Sequence, residues 1–261
     1  MVDQPARARS AWHPELNGEF RMFNVGVIEK RFTASEQFED QWPQADLHTQ
    51  WPGEGRKGDP IFDQFYASQV ESLKSNVESS EVVRDAGVAL LDKIGPAVIL
   101  THSQSGPFGW LIADARPDLV EAIVAIEPSG PPIQNKAGDP SMPWGVAEIP
   151  MTYEPAITSP DELNTIEEEN ADAPDLIKCW KQDGHAKQLV NLQGIPVLFM
   201  ITESSYHAEY DHCTSKWLTQ AGVENDLVRL EDVGIHGNGH MLMLEENNVE
   251  ISEFIHDWLT E

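Results

Sequence analysis

The sequence predicts an α/β fold with a mostly parallel sheet, and three observations support that prediction. Short apolar runs that suit buried strands occur at residues 97–100, 119–126 and 195–201, and residues 226–230 are expected to form a fourth strand. Segments with apolar residues at helical spacing alternate with these runs, an order typical of right-handed crossovers onto a parallel sheet. Polar residues able to do chemistry stand at the ends of the runs, at the edge where such sheets bind their ligands.

The helices are predicted from apolar spacing and from capping signals. Gly95-Pro96 ends the second helix and leads directly into the strand at 97–100. Residues 23–28 are expected to form one further short strand. The predicted helices are 61–73, 80–93, a segment that starts near Pro107 and ends before Arg116, 210–220 and 249–259.

We expect a single domain, residues 1–261, with two parts that lack a clear period. Residues 1–60 scatter aromatic side chains among prolines, glycines and charges, which is typical of the irregular wall of a substrate pocket. Residues 128–192 are acidic and proline-rich, with the length and composition of a cap or lid insertion. Within that insertion, Glu167 to Glu169 are expected to form the solvated face of a helix.

The chain carries 17 basic and 44 acidic residues, a formal net charge of −27. Such a field repels phosphates, which argues against a nucleic-acid partner and against binding to an anionic membrane surface. The two cysteines, Cys179 and Cys213, fit a reduced compartment in which they are small buried thiols. Since no stretch has the pattern of a signal peptide or a membrane span, we expect a cytoplasmic protein.

Neither a cofactor nor a metal is expected. His207, Asp211 and His212, or His236 with His240, have spacings that a metal could use, but the sequence offers no complete ligand set. His236 is therefore interpreted as a histidine that packs within its loop and bonds to the backbone.

The functional interpretation depends on residues 97–106, Ala-Val-Ile-Leu-Thr-His-Ser-Gln-Ser-Gly. The apolar run stops at a serine-rich turn, and a proline-initiated helix follows. A serine at a tight strand-to-helix turn is held in a strained conformation with its hydroxyl exposed, so its two-away neighbours, here Thr101 and Ser105, must be small. This arrangement predicts Ser103 as a nucleophile, with the amide of Gln104 as one donor to an oxyanion.

A serine nucleophile needs a base to take its proton and an acid to orient that base. His240, on a glycine-rich loop after the last predicted strand, is the candidate base. Two carboxylates end neighbouring strands and could orient it: Glu127 after the strand at 119–126, and Glu203 after the strand at 195–201. From the residues alone, both remain candidates for the acid.

Three motifs occur in order along the chain, His-Ser-Gln-Ser-Gly-Pro at 102–107, Glu-Pro-Ser-Gly at 127–130 and Gly-Ile-His-Gly-Asn-Gly-His-Met at 234–241. Together with Trp-Pro-Gly-Glu-Gly at 51–55 and Tyr-His-Ala at 206–208, they resemble a family of bacterial and fungal α/β-hydrolase esterases over most of the chain. That family uses a Ser–His–Glu triad whose acid lies one strand earlier than usual.

The resemblance implies Ser103 as nucleophile, Glu127 as acid and His240 as base. It also implies the α/β-hydrolase fold, with helices that flank the sheet and a cap. The implied activity is hydrolysis of a small, largely apolar ester or lactone, as in fungal secondary metabolism.

In that family, strands and a glycine-rich loop that donates the second oxyanion N–H precede the part that matches here. Residues 2–10 resemble the point just after those strands, so the chain is expected to begin inside the domain. Loss of such a donor costs on the order of 3 kcal/mol, or roughly a hundredfold in rate. The strand at 97–100 would then have an unpaired edge, which favours pairing with a partner and leaves a homo-oligomer open.

Two functions are therefore compared. The first is a serine esterase or lactonase that works through an acyl-enzyme. The second is a catalytically impaired, truncated relative that binds a ligand or a partner protein. The intact Ser103, Glu127 and His240 favour the first function, whereas the expected absence of the oxyanion loop favours the second.

Overall fold

The structure is a computed structural model that describes residues 2–13, 15, 18–139 and 141–261. Met1, Pro14, Leu16 and Asn17, from the expected irregular segment, lie outside the described residues. Pro140, from the expected cap, lies outside them as well.

The strands follow the predicted order along the chain. In the described residues they are β1 (Phe20–Arg21), β2 (Ser72–Leu73), β3 (Ala97–His102), β4 (Val120–Ile126), β5 (Thr165–Glu167), β6 (Trp180–Gln182), β7 (Val197–Ile201) and β8 (Asp226–Arg229). A four-stranded sheet has the order β3-β4-β7-β8, and β4 is parallel to both of its neighbours. The predicted α/β class is therefore confirmed, as are the four strands on which the prediction was based.

The helices also agree with the prediction, except near the N-terminus. They are α1 (Val25–Ile28), α2 (Pro60–Ala67), α3 (Asn76–Ile94), α4 (Gly106–Ala115), α5 (Asp211–Gln220) and α6 (Asn248–Thr260). None of these described helices combines the length and the apolar character that spanning a bilayer requires.

Two of the predicted elements in the N-terminal part are wrong. Residues 23–28 were expected as a strand, but α1 forms there because the Asn24 side chain caps it, accepting a hydrogen bond from the Val27 amide at 3.1 Å. The predicted helix at 61–73 ends earlier, at Ala67, since residues 72–73 pair with β1 as the antiparallel strand β2.

The chain divides into two compact units, which are described separately. The first unit contains Met1–Lys74, Ile201–Glu209 and Val228–Glu261. The second unit contains Ser75–Met200 and Tyr210–Leu227. The expected organisation as one domain with a cap stays a prediction.

In the second unit, α4 packs against α3 and against strands β3 and β4. Gly87 of α3 lies so close to α4 that a Cβ at this position would overlap the side chain of Ile112. The central strands β4 and β7 are buried except at Glu121, as the apolar runs predict, but β3 is at the edge of the described sheet. Its residues Val98 and Leu100 are 40% and 56% exposed, so the expectation of a strand buried on both faces is wrong there.

The segment at 128–192 contains little regular structure in its described residues. Thr165–Glu167 form β5, which is antiparallel to β6, so the expected helical face at Glu167 to Glu169 is wrong. Glu168 instead forms an ion pair with Lys216 of α5, with 2.8 Å between Oε1 of Glu168 and Nζ of Lys216. Tyr153 is buried and donates a 2.8 Å hydrogen bond to the Trp144 carbonyl, which anchors the irregular backbone from within.

Cys179 and Cys213 form a disulfide whose Cα atoms are 5.1 Å apart. The prediction of two reduced thiols is therefore wrong. Cys179 directly precedes β6, Cys213 lies in the first turn of α5, and the two elements pack together, which brings the sulfurs into contact. Disulfides persist in oxidising environments and are rare in the cytosol.

In the first unit, short elements and side-chain bonds replace long secondary structure, as residues 1–60 predict. A π-helical turn, Glu29–Thr33, follows α1 directly. Thr33 closes a loop by donating a 2.6 Å hydrogen bond from its hydroxyl to the Gly55 carbonyl. The rings of Trp51 and Phe65 pack edge to face at 5.5 Å between centroids.

Candidate active site

Ser103 stands at the turn between β3 and α4 with a left-handed backbone, at φ +57°. A residue other than glycine is uncommon there, and holding it costs on the order of 1–3 kcal/mol of strain. One 3₁₀ turn, Ser103–Ser105, continues into α4, with Pro107 in the first turn of that helix. The predicted strand, sharp turn and helix are therefore confirmed, with the serine at the apex.

Ser105 closes this turn with its hydroxyl. The Ser105 Oγ accepts a 2.8 Å hydrogen bond from the His102 amide and donates a 2.8 Å hydrogen bond to the His102 carbonyl. A glycine at this position would be small enough, but it could not make either bond. The serine thus provides both the room and the bonds that hold the backbone on each side of Ser103.

Gly106 is needed for a close approach between this turn and the end of β4. Its φ is −55°, a value that any residue can adopt, so a glycine is not required there for backbone freedom. A Cβ at residue 106 would overlap both the Cα and the Cβ of Pro128. The Ser129 amide also donates a 2.9 Å hydrogen bond to the Ser103 carbonyl, so the residues after Glu127 are bonded directly to the backbone of Ser103.

Glu127 is completely buried at the end of β4 and, like Ser103, has a positive φ, +43°. Its amide donates a 3.0 Å hydrogen bond to the Met200 carbonyl, which extends the pairing of β4 with β7 by one residue. A carboxylate oxygen of Glu127 lies within 4.8 Å of a ring nitrogen of His102. Two strained residues at adjacent strand ends are typical of a functional site.

His240, in the first unit, is 1% exposed and lies among aromatic rings. The ring of His207 is stacked on it, with centroids 4.6 Å apart and planes at 6°. Phe32 stacks on it at 5.3 Å, and Tyr206 lies at 4.9 Å with its ring tilted. Arg31 is placed over the Tyr206 ring, 5.4 Å from its centroid.

These surroundings lower the pKa of His240 well below its usual value of 6.5. Burial is the largest cause, because a charged imidazolium would lose its hydration. The nearby His207 and Arg31 lower the pKa further through charge repulsion. His240 is therefore held as a neutral imidazole, the form in which a histidine accepts a proton.

Glu203 bonds to the loop that carries His240, but it does so at His236 and Gly237. Its Oε1 is 3.0 Å from Nδ1 of His236, and its Oε2 accepts a 2.7 Å hydrogen bond from the Gly237 amide. Sequence reasoning offered Glu203 as an alternative partner for His240, but its two oxygens bond residues that lie four and three positions earlier in the loop. His236 is bonded to this carboxylate rather than to the backbone, contrary to its predicted role.

The predicted residues are divided between the two units. Ser103, Gln104 and Glu127 belong to the second unit, where Ser103 and the residues after Glu127 are bonded to each other. Glu203, His236 and His240 belong to the first unit. Of the alternative metal ligands, His207 is stacked face to face on His240, and His212 Nε2 lies 3.2 Å from the disulfide sulfur of Cys179.

Sequence reasoning missed the surroundings of His240. Phe32 is 208 residues away in the chain, and nothing in its local sequence marks it. His207 follows Tyr206 in a stretch that had already been noted for its resemblance, and that stretch was the only available signal.

No family model matches the chain. A search of characterised proteins gives a relative named "Probable secreted lipase phiG", from a fungal species (strain ATCC 74256), which is 44% identical over 262 residues. The alignment covers 99% of this chain and 71% of the relative.

That degree of identity over that length decides the family. The chain belongs to the α/β-hydrolases. A solved structure described as a novel bacterial esterase agrees in fold, with a TM-score of 0.53 at 17% identity. The likeness covers 97% of this chain, which spans 66% of the length of that esterase.

The family and the α/β-hydrolase fold predicted from the sequence are thus confirmed, and the lipase relative supports ester hydrolysis over the binding-protein alternative. The predicted cytoplasmic location is wrong, because the relative is named a secreted protein. The Cys179–Cys213 disulfide agrees with that correction.

Proposed function

We propose that this α/β-hydrolase cleaves carboxylic esters through an acyl-enzyme on Ser103, with His240 as general base and Glu127 as the acid that orients it. The observation that carries the proposal is the left-handed Ser103 between β3 and α4. A strained, non-glycine residue at such a turn persists only where the surrounding structure holds it, and here the hydrogen bonds of Ser105 and Ser129 hold it.

In this mechanism, His240 takes the proton of the Ser103 hydroxyl while the oxygen attacks the ester carbonyl. The carbonyl electrons move to the oxygen and form a tetrahedral oxyanion. As the C–O bond to the alcohol breaks, His240 returns its proton to the leaving alkoxide. Water then attacks the acyl-enzyme by the same route and releases the acid and Ser103.

Glu127 is preferred over Glu203 as the acid. Both oxygens of Glu203 are occupied by His236 and by the Gly237 amide. Glu127 is buried and follows a strand adjacent to the one that ends at Ser103, as the esterase resemblance implies. A buried carboxylate in that position would fix the tautomer of His240 and stabilise its protonated form during the reaction.

The oxyanion is assigned to the start of the helical segment that the 3₁₀ turn Ser103–Ser105 and α4 form together, with the Gln104 amide as a donor. The helix has ten residues, and Pro107 lies in its first turn. Amides at such a helix start carry partial positive charge, so they stabilise an anion more than a neutral carbonyl.

The substrate proposed is a small, largely apolar ester or lactone, and the enzyme is proposed to act outside the cell. The net charge of −27 disfavours polyanionic substrates, because they would be repelled. The lipase relative supports an ester with an apolar acyl group. The disulfide between β6 and α5 would persist in an extracellular medium.

The test is hydrolysis of p-nitrophenyl esters of increasing chain length, and of a lactone, by the wild type and by Ser103→Ala. We expect the substitution to lower kcat/KM by roughly 10⁴-fold or more, since loss of a serine nucleophile removes the acyl-enzyme route. Ser252→Ala, which changes an exposed serine of α6 far along the chain from Ser103, serves as the control. Equal rates for the wild type and Ser103→Ala would reject catalysis at Ser103 and favour a ligand-binding role.

A further inference from the structure

A buried histidine in the first unit lies between two carboxylates. The His48 side chain is 2% exposed, and its Nδ1 is 3.1 Å from Oε2 of Glu36. Its Nε2 is 2.9 Å from Oε1 of Glu245, whose side chain is fully buried. When both carboxylates are ionised, the ring can donate a hydrogen bond to each of them only if it carries two protons and a positive charge.

Glu245 connects this histidine to the backbone of the loop that carries His240. Its two oxygens accept hydrogen bonds from the Gly239 amide at 3.0 and 3.1 Å. The side chain of Asn238 donates to the same carboxylate at 2.7 Å. Asn247 in turn exchanges hydrogen bonds of 2.6 and 2.9 Å with Asn238. The residue directly before His240 is therefore bonded through its amide to a charged, buried cluster.

The loop also lies directly against the His48 ring. A Cβ at Gly239 would come within 2.8 Å of Nε2 of His48, so only glycine permits this approach. On the other side, the amide and the hydroxyl of Ser204 both donate to the Asn238 carbonyl, at 2.9 and 2.8 Å. The backbone at 238–239 is thus held from two directions, by His48 with Glu245 and by Ser204.

We propose that His48 and Glu245 are positioning residues, a buried ion pair that fixes the 237–240 backbone and thereby the orientation of the His240 ring. This inference rests on the proposed role of His240 as the base. The ion pair does not touch the reacting atoms in this role. It keeps the base in one orientation, and misplacement of a catalytic group by about 1 Å can lower the rate by about a hundredfold.

The charge of the cluster also makes it sensitive to alkaline pH. The titratable groups that face His48 are Glu36 and Glu245, and their hydrogen bonds raise its pKa to about 9 against the opposing effect of burial. A pKa that is higher in the folded chain than in the unfolded chain stabilises the fold fully at pH values below the unfolded pKa. That contribution is lost as pH rises through about 9 and the ring loses its second proton.

The experiment compares the wild-type chain with His48→Gln, Glu245→Gln, the double variant and His236→Gln. The last is the matched control. Like His240, His236 lies in the 236–240 loop, and it bonds the carboxylate of Glu203, but its side chain is 62% exposed. Hydrogen–deuterium exchange of the peptide that contains residues 236–241 reports on the backbone without substrate. Ester hydrolysis from pH 6 to 10 reports on the base.

For His48→Gln at pH 7, we expect protection of the 236–241 amides to fall at least tenfold and kcat to fall by roughly tenfold to a hundredfold, with KM changed less than twofold. The double variant should recover part of both losses, since it leaves no buried carboxylate unpaired. The alkaline decline of wild-type kcat near pH 9 should be absent in both variants that lack His48.

Unchanged protection in His48→Gln would overturn the proposal, as would lost protection without a change in kcat. Equal losses of amide protection and kcat in His236→Gln would also overturn the proposal, because an exposed histidine–carboxylate pair would then hold the loop as well as the buried one does. If the wild type hydrolyses no ester while protection still depends on His48, the proposed base role of His240 fails and the anchoring of the loop stands. Should His48→Gln not fold, Glu36→Gln tests the same ion pair from its more exposed end.

Discussion

The two regions that carry the proposed catalytic residues are held in place by different physical means. Ser103 sits in a strained backbone conformation that bonds from its immediate neighbours maintain, chiefly through Ser105. The loop of His240 is held by side chains from distant parts of the chain, with His48 and Glu245 separated by 197 residues. A proposed nucleophile that local structure fixes can be recognised from a short stretch of sequence, whereas the residues that support the proposed base cannot.

The largest expected effect separates the two candidate acids, one in each region. Glu127→Gln should lower kcat by about 10⁴-fold, because an amide stabilises neither the correct tautomer nor the protonated form of the base. Glu203→Gln should change kcat by far less, since Glu203 bonds His236 and Gly237. Steady-state kinetics of both variants on one ester measure the difference. The reverse ranking would transfer the role of the acid to the first unit.

Removal of the disulfide tests how much a covalent link contributes to the stability of the second unit, beside the hydrogen bonds of the Ser103–Ser105 turn. We expect the paired substitution Cys179→Ala and Cys213→Ala to lower the free energy of unfolding by about 2–4 kcal/mol, because the link closes a loop of sequence separation 34. Urea unfolding of both proteins, with the wild type also measured under dithiothreitol, gives this value. A wild type that is insensitive to reductant would contradict the expected contribution.

Gly106→Ala should disturb the contact between the turn and the end of β4. A Cβ there overlaps the Cα and Cβ of Pro128, so either the helix start or the strand end must move, at a cost of about 1–3 kcal/mol. Gly26→Ala in α1 is the matched control, since the nearest atom to its Cβ would be at 3.5 Å. Thermal unfolding distinguishes the two, and equal midpoints would show that the approach of Pro128 is not restrictive.

The smallest expected effect concerns the acid limb of the pH profile, the range in which kcat/KM falls as the pH is lowered. The pKa of His240 is lowered well below 6.5 by burial, His207 and Arg31, so the base stays neutral and active as pH falls through that value. Arg31→Gln removes one positive charge, and the acid limb of kcat/KM should then move to higher pH. A limb that does not move, or that moves to lower pH, would show that Arg31 does not act on His240.

The sequence predicted what depends on local pattern. The strand before Ser103, the turn and the proline-initiated helix are contiguous, and their residue types alone indicated the conformation that φ at Ser103 shows. The candidate residues at other strand ends followed from the parallel sheet. Family resemblance then favoured Glu127, which residue types could not separate from Glu203.

What sequence could not predict depends on long-range contacts. The Cys179–Cys213 pair was missed because two cysteines give no pairing signal and the location had been assumed to be reducing. Asn24 converts an apolar stretch into a helix through one capping bond. The Glu36–His48–Glu245 cluster joins residues that nothing in the local sequence relates, so its effect on the loop of His240 emerges only in three dimensions.

The central claim of the proposed mechanism is that His240 activates the hydroxyl of Ser103, and covalent labelling tests it most directly. A fluorophosphonate should modify Ser103 in the wild type, detected as a mass increase on the tryptic peptide that contains residues 97–106. His240→Ala should abolish that labelling, and the control His236→Ala should keep the wild-type rate, because only His240 is assigned to activate the serine. Labelling of His240→Ala at the wild-type rate, or a label on another residue, would contradict the account.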